Sequence, residues 1–130
     1  MNKIKKIPYG ITDYARFKSE NLYYVDKTQY IELLEEMPSF LFLIRPRRFG
    51  KSLFINVLKA YYDVHYKNDF DFFFADTYIG KKPTQNKNRY LILSFNFAIV
   101  DPRIENTEES FENHCDINFL FRYFDISYQT

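Results

Sequence analysis

The sequence predicts an α/β fold in which an incomplete, mostly parallel sheet is flanked by helices. Phe40–Ile44 is a continuous apolar run without alternation, a pattern typical of a strand buried on both faces. Tyr90–Phe97 predicts a second buried strand. Helical patterns precede, separate and follow these runs, so the predicted order is helix, strand, helix, strand, helix. Two strands are too few for a complete sheet.

The helices are predicted from capping residues and from apolar residues that recur at helical intervals. Asp26 and Gln29 have the spacing of a capping box in front of the second helix, and Pro38 ends it. Residues 53, 54, 57, 58, 61 and 62 form an apolar stripe on the helix after the first apolar run. The predicted helices are Tyr14–Glu20, Lys27–Glu36, Ser52–Asp63, a short one within Asp69–Tyr78, and Thr107–Ile126.

The length of 130 residues corresponds to one small domain or part of a larger one, so residues 1–130 are predicted to be a single, partial domain. A formal net charge of +1 excludes a global field that would attract nucleic acid or an anionic membrane. The aromatic content of 21% within 46% hydrophobic residues excludes a disordered chain. Any basic function must therefore be local.

A single cysteine, Cys115, excludes an internal disulfide, and with only two histidines there is no convincing structural zinc set. The basic start of the chain lacks the apolar stretch of a signal peptide, and no run approaches the ~18 apolar residues of a membrane span. We expect a soluble, cytoplasmic protein without a membrane partner.

The segment that carries chemistry follows the first apolar run: Arg45, Pro46, Arg47, Arg48, Phe49, Gly50, Lys51 and Ser52. Phosphate-binding loops read G-x-x-x-x-G-K-[ST] between a strand and a helix, and the last three positions match here. Gly50 would let backbone N–H groups curl around phosphate oxygens. Lys51 would reach the β- and γ-phosphates, and the Ser52 hydroxyl would coordinate Mg²⁺.

The pattern fails at its first position, where Arg45 replaces glycine. A second Gly-Lys pair, Gly80-Lys81, shows that such a pair alone is weak evidence. The strand before the loop, the amphipathic helix after it and the serine at the metal position favour the first pair. The alternative is an ordinary strand-to-helix turn with a helix-capping serine.

Three stretches of this chain resemble a known family: Ile7–Ile11, Tyr24–Thr28 and above all Phe40–Ser52 (FLFLIRPRRFGKS). They are similar to the AAA-ATPase-like domain, a P-loop NTPase-like domain at the N-terminus of large bacterial proteins, whose loop itself reads RPRRFGKS. The similarity extends over roughly residues 7–120. It implies that Arg45–Ser52 bind ATP phosphates with Mg²⁺, whereas the role of Asp26-Lys27-Thr28 stays unassigned.

In the resembled family, an acidic pair that holds Mg²⁺ and positions water lies downstream of the matched region, and a PD-(D/E)XK-type nuclease domain commonly follows. We therefore expect an N-terminal fragment with slow or absent hydrolysis. Asp76 and Asp125 fall in segments predicted to be helical, which makes them poor substitutes for the acidic pair. Asn96 lies where the family often has an acid, and an amide cannot act as a base.

Two other interpretations of the same residues stay open. Arg45, Arg47, Arg48 and Lys51 with Phe49 among them form a small basic and aromatic patch that suits nucleic acid. The guanidinium groups suit a γ-phosphate or a neighbouring subunit equally well.

The other open interpretation is a non-catalytic interaction module or remnant. A truncated sheet would leave an apolar face exposed, which favours self-association or binding of a missing C-terminal segment.

Overall fold

The structure, a computed structural model, describes residues 4–103 and 105–127, with side chains up to residue 120. In these ranges the chain forms six α-helices: α1 Tyr14–Ser19, α2 Tyr30–Glu35, α3 Lys51–Tyr62, α4 Phe70–Phe74, α5 Tyr78–Lys81 and α6 Thr107–Ser127. Short 3₁₀ turns cover Val64–Tyr66 and Phe97–Ile99. Five predicted helices are thereby confirmed with shifted ends, whereas α5 was not predicted.

The chain consists of two compact units, Met1–Tyr90 and Leu91–Thr130. The first contains α1 to α5, and the second contains α6. The prediction that residues 1–130 form a single partial domain stays a prediction. Among the helices that the structure describes, none combines the length and the apolar character needed to cross a bilayer.

The prediction of an α/β fold with a parallel sheet is wrong. The described residues contain no strand, only the isolated parallel bridges Lys6–Leu22 and Asp63–Tyr90. Phe40–Ile44 has no regular structure and its side chains are exposed, with Phe42 91% accessible, and Tyr90–Phe97 forms no strand either. An apolar run records a preference for burial, but a sheet also requires neighbouring backbones with unpaired N–H and C=O groups. Within the described residues, only Tyr90 at the start of the second run finds such a partner, in its bridge to Asp63, and the pairing does not continue along the run.

The core of the first unit is aromatic and holds α1, α3, α4 and α5 together. Tyr14 of α1 lies near its centre, with its ring centroid 5.7 Å from those of both Phe73 and Phe74. Its hydroxyl donates a 2.8 Å hydrogen bond to the Phe73 carbonyl. Burial raises the pKa of this phenol, which therefore stays a neutral donor. The buried hydrophobic residues of this core are Tyr14, Phe17, Leu22, Ile31, Val57, Ala60, Tyr61, Phe70, Phe73, Phe74 and Ile79.

The second unit is organised along α6. Phe97 stacks on Phe111 with ring centroids 5.9 Å apart, and Phe95 contacts His114 and Phe119. The backbone N–H of Asn96 donates to His114 Nε2 at 3.1 Å. Residues 95–97, which the sequence predicted to be part of a strand, therefore pack against α6 instead.

Candidate functional site

The Arg45–Ser52 loop leads directly into α3. Gly50 precedes this helix with φ of +77°, in the left-handed region that glycine adopts without strain. An added Cβ there would meet nothing within 4 Å, so the backbone angle favours glycine and crowding does not. Because glycine has no side chain to cap the helix, the N–H groups of its first turn stay available to an external acceptor.

A second left-handed residue, Arg48, bends the loop with φ of +65°. This conformation costs a non-glycine residue on the order of 1 kcal/mol. Arg45 does not have a positive φ. The arginine that replaces the first glycine of the strict pattern is therefore free of left-handed strain, and the bend is made at Arg48 and Gly50 instead.

The Lys51 side chain folds back over the loop. Its Nζ donates a 2.8 Å hydrogen bond to the carbonyl oxygen of Arg45, six residues earlier. A neutral carbonyl does not compensate an ammonium charge as an anion would. The bond holds the charge at the start of α3 and can be exchanged for one to an anionic ligand.

The four cations of the loop have no carboxylate partner in the described part of the chain. Arg45, Arg47 and Arg48 are exposed, and Lys51 is half-buried. Their combined field is local, because the chain as a whole carries a net charge of only +1. Such a cluster attracts anions and does not restrict which anion binds.

A cavity of about 590 Å³ opens beside the loop. One wall is formed by Pro8–Thr12, and the other by Arg48 and Gly50–Leu53. Asn56 Nδ2 of α3 donates to the Thr12 carbonyl at 2.9 Å and fixes the first wall to the helix. Cavities of roughly 300–1,000 Å³ hold small molecules and cofactors. The volume suits a nucleotide.

A second cavity, of about 380 Å³, lies against α2 and also reaches the loop. Three cations line this cavity: Lys27, Arg45 and Lys51. The other lining residues are largely apolar: Tyr30, Leu33, Leu34, Met37, Leu43, Gly50 and Phe54. A third, of about 300 Å³, is lined by both Lys27 and Gly50. Gly50 borders all three cavities, so the bend before α3 is their common point.

Asp26-Lys27-Thr28, for which the sequence offered no role, is tied to α5. Asp26 Oδ2 accepts a 2.7 Å hydrogen bond from the Tyr78 amide, and Thr28 Oγ1 accepts one of 3.1 Å from the Ile79 amide. The predicted capping of α2 by Asp26 is wrong: its other oxygen accepts from the Thr28 amide, and α2 begins at Tyr30. No local signal could reveal a partner fifty residues away.

The rival pair Gly80-Lys81 has a structural explanation. Gly80 belongs to the short helix α5, and an added Cβ would lie 1.7 Å from the Phe74 carbonyl oxygen. Glycine is needed here because two backbone segments touch. Gly80-Lys81 therefore does not repeat the setting of Gly50-Lys51.

The acidic candidates with described side chains have other partners and do not assemble into a metal site. Asp76 forms an ion pair with Lys18, whose hydrogen bond lowers the pKa of this carboxyl group. Asn96 caps the 3₁₀ turn after it by accepting from the Ala98 amide at 3.1 Å. Asp125 lies outside the described side chains. Among the described residues, no group of three or more His, Cys, Asp and Glu side chains is arranged to hold a metal ion.

Comparison with known proteins identifies a family and a partial relative. The family model "Predicted AAA-ATPase" matches residues 8–129. An "Uncharacterized protein in vnfD 5'region" from Azotobacter chroococcum mcd 1 is 49% identical over 55 residues, which are 42% of this chain and 11% of that protein. The match thus spans about a tenth of the relative's length. No solved structure matches the chain.

Proposed function

Because this chain belongs to the predicted AAA-ATPase-like family, we propose that it binds the phosphates of ATP through the Arg45–Ser52 loop. The observation that carries the proposal is a convergence at Gly50 of the start of α3, a cavity of about 590 Å³ and two cations that line it, Arg48 and Lys51, neither of which has a carboxylate partner in the described ranges. Each feature alone suits many anions. Together they suit a polyanion with an attached organic group, because the cavity extends beyond the cations along Pro8–Thr12.

We assign each loop residue a role according to its chemistry. The backbone N–H groups after Gly50 would donate to phosphate oxygens, and Lys51 would exchange the Arg45 carbonyl for a phosphate. The guanidinium groups of Arg47 and Arg48 are exposed and can contact the terminal phosphate in a bidentate manner. Pro46 and Phe49 complete the loop without offering a charge.

The fit of the site to Mg²⁺ is limited to one protein ligand. The Ser52 hydroxyl is exposed at the first turn of α3 and can take one coordination position. Magnesium commonly reaches such sites on the substrate phosphates, with few protein oxygens around it, and it neutralises phosphate charge there. The described residues supply no carboxylate cluster to complete its shell. We expect binding of the Mg-nucleotide without rapid hydrolysis by this chain alone.

Titration with a fluorescent ATP analogue and Mg²⁺ tests the proposal. We expect saturable binding that Lys51→Ala abolishes and that ADP displaces. Lys81→Ala is the matched control, because Lys81 also follows a glycine but lies in α5. Equal affinity of the unsubstituted and Lys51→Ala chains, at unchanged thermal stability, would disprove the proposal.

Nucleic-acid binding is the second candidate, and the exposure of Phe49 beside Arg47 and Arg48 favours it. Short single-stranded DNA in the same titration separates the two functions. Displacement of the analogue by DNA at lower concentration than by ADP would favour nucleic acid. Displacement by ADP alone favours the nucleotide.

An interaction module is the remaining alternative. The exposed run Phe40–Ile44 favours association with a second copy or with a further segment of the parent protein. A chain that self-associates and binds no nucleotide would support this role. Sedimentation with and without nucleotide distinguishes it from the first proposal.

A further inference from the structure

Asp26 and Thr28 fix the backbone on both sides of Lys27. Both side chains are used by α5, through the Tyr78 and Ile79 amides. Thr28 is completely buried. The position of Lys27 is therefore set by hydrogen bonds to a helix that is not part of the loop.

Lys27 shares two cavities with the Arg45–Ser52 loop. It lines the cavity of about 380 Å³ together with Arg45, Gly50 and Lys51. It also lines the cavity of about 300 Å³ that Gly50 shares. Lys27 as a whole is half-buried, and it borders two cavities that Gly50 also borders.

The charges around this cavity are all of one sign. Lys27 has no carboxylate partner in the described ranges, and neither Arg45 nor Lys51 has one. Three cations and no carboxylate among the lining residues favour a ligand that carries several negative charges.

Gly50 and Lys51 border both this cavity and the cavity of about 590 Å³, so phosphates held at Lys51 are within reach of both. We infer that Lys27 is a second lysine contact to the phosphate chain of the nucleotide, from the side of the 380 Å³ cavity. The inference rests on the proposed function and adds a residue outside the loop. An ammonium group is a compact charge with three donors, which suits phosphate oxygens more than a planar base. Asp26 and Thr28 are positioning residues for this contact.

Calorimetric titration of the full chain with Mg-ATP and with inorganic tripolyphosphate tests the inference. We expect Lys27→Gln to lower the affinity for both ligands by about tenfold, which is the effect of losing one charge-assisted hydrogen bond. Lys27→Arg should keep most of the affinity because it keeps the charge. Lys67→Gln removes the same charge from an exposed residue that lines none of these cavities and should change neither affinity.

The possible outcomes separate this inference from the proposed function. Unchanged affinity of Lys27→Gln for both ligands, with binding still lost in Lys51→Ala, would overturn the role of Lys27 alone. A loss for ATP but not for tripolyphosphate would assign Lys27 to the base or ribose and also overturn it. Failure of the unsubstituted chain to bind either ligand would overturn the proposed function itself. Thermal melting of each variant confirms that it is folded.

Discussion

The Lys51 ammonium group donates to the Arg45 carbonyl oxygen over 2.8 Å, so the seventh residue of the loop closes onto its first. This contact keeps the lysine at the start of α3 before any ligand is present. A side chain that is held in place loses less conformational entropy on binding than a free one. The loop is therefore partly preorganised.

Ligand binding should break the bond between Lys51 and Arg45. We expect Mg-ATP to shift the ¹³C resonance of the Arg45 carbonyl as the ammonium moves to a phosphate. The same resonance should already be shifted in ligand-free Lys51→Met, which cannot donate, and should not respond to ATP. An Arg45 resonance that is insensitive to saturating nucleotide would contradict the exchange.

Replacement of Thr28 by valine should destabilise the first unit. The side chain is fully buried and its hydroxyl accepts from the Ile79 amide, so Thr28→Val leaves that donor unsatisfied. We expect the free energy of unfolding to fall by about 1–3 kcal/mol. Thr12→Val, at an exposed threonine, is the control and should fall within ~0.5 kcal/mol of the unsubstituted chain. Equal urea midpoints for the two variants would show that the bond to α5 is unimportant.

The glycines at 80 and 10 should respond differently to alanine. Gly80→Ala places a Cβ 1.7 Å from a backbone oxygen of Phe74, which cannot move away as a flexible side chain can. We expect a loss of about 3 kcal/mol or more in the free energy of unfolding. Gly10→Ala meets no atom within 4 Å, and its φ of +66° costs about 1 kcal/mol. Urea denaturation of both variants measures the difference, and a smaller loss for Gly80→Ala would contradict the close approach.

Asp101 should titrate at unusually low pH. Hydrogen bonds from the Arg103 guanidinium group lower its pKa from 3.8 to about 2. Since the folded state favours the carboxylate, this contribution to stability is complete above the ordinary pKa and is lost as the pH falls from about 4 to 2. NMR titration of the carboxyl carbon measures the pKa directly.

Arg103→Gln should return the pKa of Asp101 toward its ordinary value, because the first cause of the shift is removed. Arg89→Gln is the control, since the Arg89 side chain donates to a backbone carbonyl rather than to a carboxylate. An Asp101 that titrates near pH 4 in the unsubstituted chain would rule out the ion pair in solution.

Local patterns predicted the helices well. In α3, Val57 and Tyr61 of the apolar stripe are completely buried, because residues four apart share a helix face. The two predicted strands were wrong although their runs are strongly apolar, because strand formation depends on partners elsewhere in the chain. Phe40–Ile44 remains unpaired in the described structure, and residues 95–97 pack on α6 instead.

By itself, the sequence determined the places of most helices and the residue types of the Arg45–Ser52 loop, because spacing, capping and glycine act over a few residues. Only the tertiary structure decided that Arg48 takes the left-handed conformation and that Asp26 and Thr28 bind α5, fifty-two and fifty-one residues away. It also decided that Lys27 borders the same cavity as Lys51. Contacts across such separations arise from packing of the whole unit, which no short pattern encodes.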